Sequence, residues 1–177
     1  MLAKRSARTD QPQRAVRLTV NGQDIENFIE PRETLLDFLR DRLGLKGAKR
    51  SCDLQVCGTC TVLLDGQPVS ACCTLAYEAR GREVTTIEGL SRDGELHPIQ
   101  EAFIRRSGVQ CGFCTPGMIL TAKSLLDQNP NPTPEQIRQH MAGNLCRCTG
   151  YWHILEAVEL AAQLMTGPEN EAEGTTS

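Results

Sequence analysis

Apolar residues alternate with polar ones at Val16, Leu18 and Val20, Asn21-Gly22 supplies a two-residue turn, and a second run extends from Ile25 to Ile29. This is the pattern of a β-hairpin. The period then changes. Between Thr34 and Gly44 the side chains of Leu35, Leu36, Leu39 and Leu43 fall on one helical face, and Gly44 can end the helix. Thr61 to Leu64 and Val69 to Ala71 flank Asp65-Gly66 as a second hairpin, and Val84 to Ile87 is a further short β-branched run. The first half reads as a small mixed sheet packed on one helix.

Beyond Gly89 the strand signals stop, which sets a domain boundary around residues 89 to 96. A helix begins near Pro98, carries Ile99, Ala102 and Phe103, and ends at Gly108. Thr115-Pro116 offers an N-cap followed by proline at the first helical position, leading into Met118, Ile119, Ala122, Leu125 and Leu126. Asn129-Pro130 stops that helix, and Thr133 with Gln136 forms a capping box for the next, which carries Ile137 and Met141. Thr149 can cap a last helix through Ile154, Leu155, Val158, Ala161, Leu164 and Met165, ended by Gly167-Pro168. The expected class is α+β: a sheet domain over residues 14–90 and a helical bundle over 91–167, with a disordered arm at 1–13 and an acidic tail at 168–177.

A chain of 177 residues, 40 % hydrophobic and 23 % charged, makes one large or two small domains and needs no disulfides to hold a core together. The net charge of -3 gives no general case for nucleic-acid binding. No run approaches the roughly 18 consecutive apolar residues of a membrane span. Lys4, Arg5, Arg8 and Arg14 are followed by no apolar stretch, so no secretory signal is supported and the cytoplasm is the expected compartment.

The anomaly is nine cysteines, about 5 % of the chain, below the density of a disulfide scaffold and odd in number. In a reducing compartment that points to metal. Cys52, Cys57 and Cys60 stand in C-x4-C-x2-C spacing and Cys72 follows the Asp65-Gly66 turn. That is the plant-type 2Fe-2S spacing, whereas a structural zinc site more often pairs two C-x2-C knuckles. Such a loop should offer N–H groups to sulfur, with Gly58 letting the backbone approach. Cys111 and Cys114, then Cys146 and Cys148, form a second set just ahead of two predicted helices, where positive helix ends favour thiolates. Spacing alone leaves this second set open between tetrahedral zinc and iron–sulfur. Cys73, next to Cys72, is expected on the opposite strand face as a buried small hydrophobe.

The remaining candidates carry less. His97, His140 and His153 have no carboxylate or serine constellation around them and are read as capping or surface residues. Lys49 and Arg50 either dock an acidic partner or solvate a loop, the second being favoured. Tyr151 and Trp152 should pack a helix start. No Gly-rich phosphate loop or Ser-His-Asp arrangement is present. The chain is expected to carry electrons while something else does the chemistry.

Three stretches resemble a known family. They are Ser51-Cys52-Asp53 through Cys57-Gly58-Thr59-Cys60-Thr61-Val62-Leu63-Leu64-Asp65-Gly66, Gln110-Cys111-Gly112-Phe113-Cys114-Thr115-Pro116-Gly117-Met118, and Gly143-Asn144-Leu145-Cys146-Arg147-Cys148-Thr149-Gly150-Tyr151. Their order and content are similar to the iron–sulfur subunit of the molybdenum hydroxylases, the group of xanthine oxidase, aerobic carbon monoxide dehydrogenase and bacterial aldehyde, nicotine and quinoline oxidoreductases. The resemblance runs from about residue 15 to 166.

It implies a β-grasp, plant-type ferredoxin-like domain followed by a four-helix domain, each holding a 2Fe-2S cluster. By that analogy Cys52, Cys57, Cys60 and Cys72 bind the cluster facing the flavin, and Cys111, Cys114, Cys146 and Cys148 the one nearest the molybdopterin. Gln110 and Cys148 fall at positions that touch the pterin in the family. The implied partners are a large subunit binding molybdopterin, as the cytosine dinucleotide, and a medium subunit binding FAD, with a dimer of heterotrimers as the further assembly. No catalytic residue is implied for this chain, and the substrate is set elsewhere. The alternatives are a free-standing two-cluster ferredoxin and a zinc scaffold. The chain departs from the family pattern at Ser51 and Gln55, where glycine is usual, which touches the loop conformation or an N–H contact to sulfur rather than the thiolate set.

Overall fold

The computed structural model describes residues 13–167. The tail expected at 168–177, and the arm expected at 1–13 apart from its last residue, lie outside them. Strands β1 (Arg14–Val20) and β2 (Gln23–Ile29) pair antiparallel, with Val20 opposite Gln23. Asn21 and Gly22 both turn at positive φ, 51° and 77°, as a two-residue hairpin requires. Strands β3 (Thr61–Leu64) and β4 (Gln67–Ser70) form the second hairpin, and β5 is Glu83–Thr85. The strand order is β2-β1-β5-β3-β4, with β1 and β5 parallel and the other pairs antiparallel. Ile87 leaves the expected strand and begins a 3-10 turn, Ile87–Gly89, and a second 3-10 turn spans Ala76–Ala79.

The single helix of this half differs from its expected form. α1 (Leu35–Asp37) is a short α-helical start whose N-cap Thr34 accepts from Asp37 N at 3.1 Å, and it continues as a π-helical turn over Phe38–Arg42. Leu43 N donates to Phe38 O, five residues back. Phe38 is fully buried in this wider turn together with Leu35, Leu36 and Leu39, while Leu43 sits at the edge of the core. Apolar positions three and four apart do not distinguish such a wider turn from an α-helix, and its effect shows in Leu43, which falls at the edge of the core.

Four helices follow: α2 (Pro98–Arg105), α3 (Thr115–Gln128), α4 (Pro134–Met141) and α5 (Trp152–Met165). Thr133 and Gln136 form the expected capping box of α4, and His97 caps α2, its Nδ1 accepting from Ile99 N at 3.3 Å. α3 begins one residue earlier than expected, with Cys114 at its N-cap and Thr115 already helical. α5 is capped by Tyr151, in the left-handed region at φ 70°, and not by Thr149. Among the described residues no helix is long and apolar enough to cross a membrane.

Two cores result, and β3 belongs to both. Val62 and Leu64 face Val16, Leu18, Val84 and the α1 side chains, whereas Leu63 joins Phe103, Met118, Leu120 and Val158 of the helices. All four β3 residues are buried, which alternation allows only when both faces of a strand are covered.

Between α3 and α4, Ser124 donates to Thr121 O at 2.8 Å and its oxygen lies 2.9 Å from His140 Nε2. Burial holds His140 below its ordinary value of 6.5, against an opposing hydrogen bond with the Thr121 backbone. The unfolded chain therefore takes up this proton first, and the stability attached to neutral His140 is present above pH 6.5 and lost as the pH falls from there through the lower folded value. The thermal midpoint should drop on acidification from pH 7.5 to 6, and less so in His140→Gln. Equal drops in both proteins would show that His140 carries none of the acid sensitivity.

Candidate metal centres

The first centre is a loop pinned at its margins. Arg40 Nη1 donates to Lys46 O and Ala48 O at 3.0 and 2.7 Å, and Lys49 N to Thr59 O at 3.0 Å. Arg50 bridges Asp37 on α1 and Asp53 in the loop, so its charge is spent inside the chain. Lys49 Nζ is likewise occupied, by Lys46 O at 2.9 Å. Both side chains are thus engaged within the chain rather than only solvating the loop.

Within the loop Cys52 and Cys57 lie in mutual hydrogen-bonding reach. Cys60 immediately precedes β3 and Cys72 follows β4, and both are buried. The loop turns its amides toward sulfur. Leu54 N donates to Cys52 Sγ at 3.4 Å, and with Val56 N and Cys57 N it lowers that thiol to about 6. Burial instead raises Cys60 to about 12. The Thr59 hydroxyl lies 3.3 Å from Cys57 Sγ.

Cys73 is not the buried hydrophobe that strand alternation suggests. It is exposed, and its Sγ lies 3.6 Å from that of Cys72. The reason is local: Cys73 N and Thr74 N both donate to Ser70 O, so the chain turns after β4 and neighbouring side chains no longer point to opposite faces.

The second centre joins the segment ahead of α3 to the segment ahead of α5. Cys111 and Cys148 are exposed with their sulfurs 3.5 Å apart, and Cys114 and Cys146 meet deeper in. Burial drives Cys114 up to about 12. Cys146 feels burial too, but the Thr149 hydroxyl at 3.2 Å and the Thr149 and Cys148 amides outweigh it and lower the thiol. Here lies the role of Thr149: its hydroxyl serves sulfur and accepts from Tyr151 N at 3.2 Å. The Tyr151 hydroxyl in turn accepts from Cys146 N at 3.0 Å. Tyr151 packs on the helical core as expected, while Trp152 is 68 % exposed and packs no helix start. Gln110 is exposed beside Cys111.

Among the described residues no three His, Cys, Asp or Glu side chains close on a point that one ion could occupy. The thiols instead gather in two groups: Cys111 lies 3.5 Å from Cys148 with Cys114 and Cys146 interacting beside them, and in the first group Cys52 interacts with Cys57 while Cys72 interacts with Cys60 and lies 3.6 Å from Cys73. That donor set suits a binuclear group whose two irons take two thiolates each.

The two centres share a seam that the sequence reading did not single out. Asn144, 4 % exposed, sends its Nδ2 to Gly58 O at 3.0 Å, with Thr61 Oγ1 at 3.4 Å, and accepts from Thr121 Oγ1 at 2.9 Å. Gly58 turns at φ 67°, and a Cβ there would lie 2.6 Å from Asn144 Nδ2 and from Gly143 O. A Cβ on Gly117 would lie 2.3 Å from Gly58 O. Both glycines are needed for this approach. Asn144 stood inside a quoted motif, but nothing in its neighbours announces a buried amide.

Two domain models match: a 2Fe-2S iron–sulfur cluster binding domain over residues 18–86 and a 2Fe-2S binding domain over residues 86–159. The protein is thus a tandem of two 2Fe-2S modules, which removes the zinc alternative for the second centre. The nicotinate dehydrogenase small FeS subunit of Eubacterium barkeri is 48 % identical over 148 residues, covering 84 % of this chain and 94 % of that protein. The nicotine 6-hydroxylase small subunit of Paenarthrobacter nicotinovorans is 50 % identical over 139 residues, covering 78 % and 84 %. Quinoline 2-oxidoreductase from Pseudomonas putida 86 superposes with a TM-score of 0.83 at 44 % identity, covering 88 % of this chain and 98 % of that one. Aldehyde oxidoreductase from Desulfovibrio gigas gives a TM-score of 0.83 at 42 % identity over 92 % of this chain, which spans 18 % of that longer polypeptide. The chain belongs to the family of small iron–sulfur subunits of the molybdenum hydroxylases. It is an electron-transfer subunit of a multisubunit oxidoreductase.

Of the two departures from the family pattern, Ser51 is conformationally neutral, its φ lying outside the left-handed region. Gln55 sits at φ 60°, where a β-carbon is strained. Gln55→Gly should stabilise the folded subunit by about 1 kcal/mol, offset in part by added freedom in the unfolded chain. Chemical denaturation of both proteins measures it, and an unchanged or lower midpoint would show the strain to be absorbed by the loop.

Proposed function

We propose that Cys52, Cys57, Cys60 and Cys72 hold one 2Fe-2S cluster and Cys111, Cys114, Cys146 and Cys148 the other. The observation that carries this reading is the gathering of the thiols into two groups, one at the loop before β3 and one ahead of α3 and α5, where Cys111 and Cys148 lie 3.5 Å apart. When bound, each cluster accepts and releases one electron. The chain's own residues set the conditions for that exchange: amides and hydroxyls aimed at Cys52, Cys57 and Cys146 stabilise sulfur that carries negative charge, and burial around Cys60 and Cys114 keeps water from one side of each centre.

On this reading residues 14–90 form the domain of the first cluster and 91–167 that of the second, and both work in the cytoplasm. The second centre is the end that meets the large molybdopterin-binding subunit, with the cofactor as its cytosine dinucleotide. Cys111 and Cys148 are exposed there, and Val109, Phe113, Leu145 and Trp152 flank the cysteines as exposed apolar residues, the composition of a surface that a partner covers. Gln110 and Cys148 would face the pterin. The first centre carries exposed Leu54 and Val56 and would face a medium FAD-binding subunit, the trimer pairing into a dimer of heterotrimers. A free-standing ferredoxin is the weaker reading, because the relatives are named as subunits and the second centre leaves apolar side chains uncovered.

Low-temperature EPR with iron and acid-labile sulfide analysis of the purified complex tests the ligand set. Cys72→Ala should lose about half the iron and one of two reduced-cluster signals, because a 2Fe-2S group needs four ligands. Cys73→Ala should keep both. The reverse pattern would assign the fourth ligand to Cys73.

A further inference from the structure

We propose that Cys73, which ligates neither centre, is a positioning residue that directs its thiol proton onto the Cys72 sulfur and thereby raises the reduction potential of the first centre. The inference rests on the ligand set proposed above, in which Cys72 binds iron and Cys73 does not. The two sulfurs lie 3.6 Å apart, where either could donate if both were thiols. A cysteine ligates metal as the thiolate, so ligation decides the direction. Cys72 has no proton left to give, and Cys73 donates to it.

The backbone holds this contact in place although the Cys73 side chain is exposed. Cys73 N and Thr74 N close on Ser70 O at 2.9 and 3.2 Å, and the Thr74 hydroxyl adds a third bond to the same carbonyl at 3.1 Å. Ala71 O accepts from Leu36 N at 2.9 Å and Thr74 O from Leu35 N at 2.7 Å, so both sides of the turn are fastened to α1. From this fixed backbone the Cys73 thiol reaches back to the cysteine loop, where Asp53 O at 3.9 Å is its other acceptor. That oxygen is neutral and farther away. A ligating thiolate carries charge, and charge-assisted hydrogen bonds are the stronger ones, so the proton goes to sulfur.

The contact completes a set of donors. Leu54 N meets Cys52, the Thr59 hydroxyl meets Cys57 and the Cys72 amide meets Cys60. Cys73 supplies a donor to the fourth sulfur. Reduction adds one electron and spreads negative charge over the sulfurs, so a donor there stabilises the reduced form more than the oxidised one. The electron then rests more readily on the first centre. The thiol keeps its proton throughout, and no bond forms or breaks. Because S–H is a weak donor, the effect is bounded.

The test uses the natively purified complex with Cys73→Ala or Cys73→Ser in this chain. Alanine removes the donor, and serine keeps one on the same β-carbon. Each protein is assayed for iron and sulfide, by EPR-monitored redox titration of both clusters, and by pulsed ENDOR after exchange into deuterated water. Cys73→Ala should load both clusters and leave the second midpoint unchanged. At a fixed potential its first centre should be reduced severalfold less, up to about tenfold, which is about 59 mV for one electron. One exchangeable deuteron coupling to the first cluster should vanish with it. Cys73→Ser should restore both the midpoint and the coupling.

A loaded Cys73→Ala protein with the parent midpoint, or with every deuteron coupling intact, overturns the inference. So does a Cys73→Ser protein that behaves as Cys73→Ala, because bulk and not a proton would then act at this position. Loss of the first centre's iron from Cys73→Ala would make Cys73 a ligand and overturn the proposed ligand set itself. That failure is distinct from a loaded cluster whose potential does not move.

Discussion

The close approach of Gly58 to Gly117 and Asn144 is the constraint on which the arrangement of both centres depends. One backbone carbonyl, Gly58 O, accepts from Asn144 Nδ2 and from Thr61 while sitting against the first turn of α3. Any side chain at position 58 or 117 would push the loop carrying Cys57 and Cys60 away from the segment carrying Cys146. The sheet supports the same contact from behind, since β3 starts within this seam and sends Leu63 into the helical core. Full burial of a leucine contributes about 1.5–3 kcal/mol. Helices and sheet are therefore joined by packing and by buried hydrogen bonds at one place, and that place lies between the two thiol sets.

Each thiol set is built from unlike members. One thiol is offered amides or a hydroxyl and is easily ionised, as with Cys52 and Cys146, while another is enclosed by apolar neighbours and resists ionisation, as with Cys60 and Cys114. The asymmetry follows from the elements. Loop amides and the Thr149 hydroxyl reach Cys52 and Cys146, whereas Cys60, just before β3, is buried in the sheet core and Cys114, at the N-cap of α3, is partly buried against the helical core. A metal group bound to such a set meets solvent and hydrogen-bond donors on one side and hydrocarbon on the other, which gives its electronic properties a direction within the fold.

Much of this was legible in the chain. Alternation and the Asn21-Gly22 and Asp65-Gly66 turns fixed the hairpins, Thr133 with Gln136 marked α4, and cysteine spacing pointed to the two regions where the thiols gather. What escaped shares one physical cause: a local rule applied where a tertiary contact or an irregular backbone overrides it. Thr149 satisfies the capping rule yet gives its hydroxyl to Cys146, leaving Tyr151 to begin α5 in a left-handed conformation. Cys73 obeys strand alternation only if the strand continues, and it does not. The π turn at Phe38–Arg42 has no signature in a pattern of apolar positions, and Asn144 is a polar residue whose burial comes from partners 86 and 23 residues away.

The same reasoning separates the two departures from the family pattern. A glycine is required where φ is positive or where a Cβ would collide, and each condition can be met or absent independently. Ser51 meets no positive-φ requirement. Gln55 occupies a left-handed position and carries the strain of a β-carbon there, yet it is exposed, so its side chain displaces nothing. Gly58 fails both tests for substitution at once, by φ and by clearance. The loop therefore tolerates change on its outer turn and none on the turn that faces the helices.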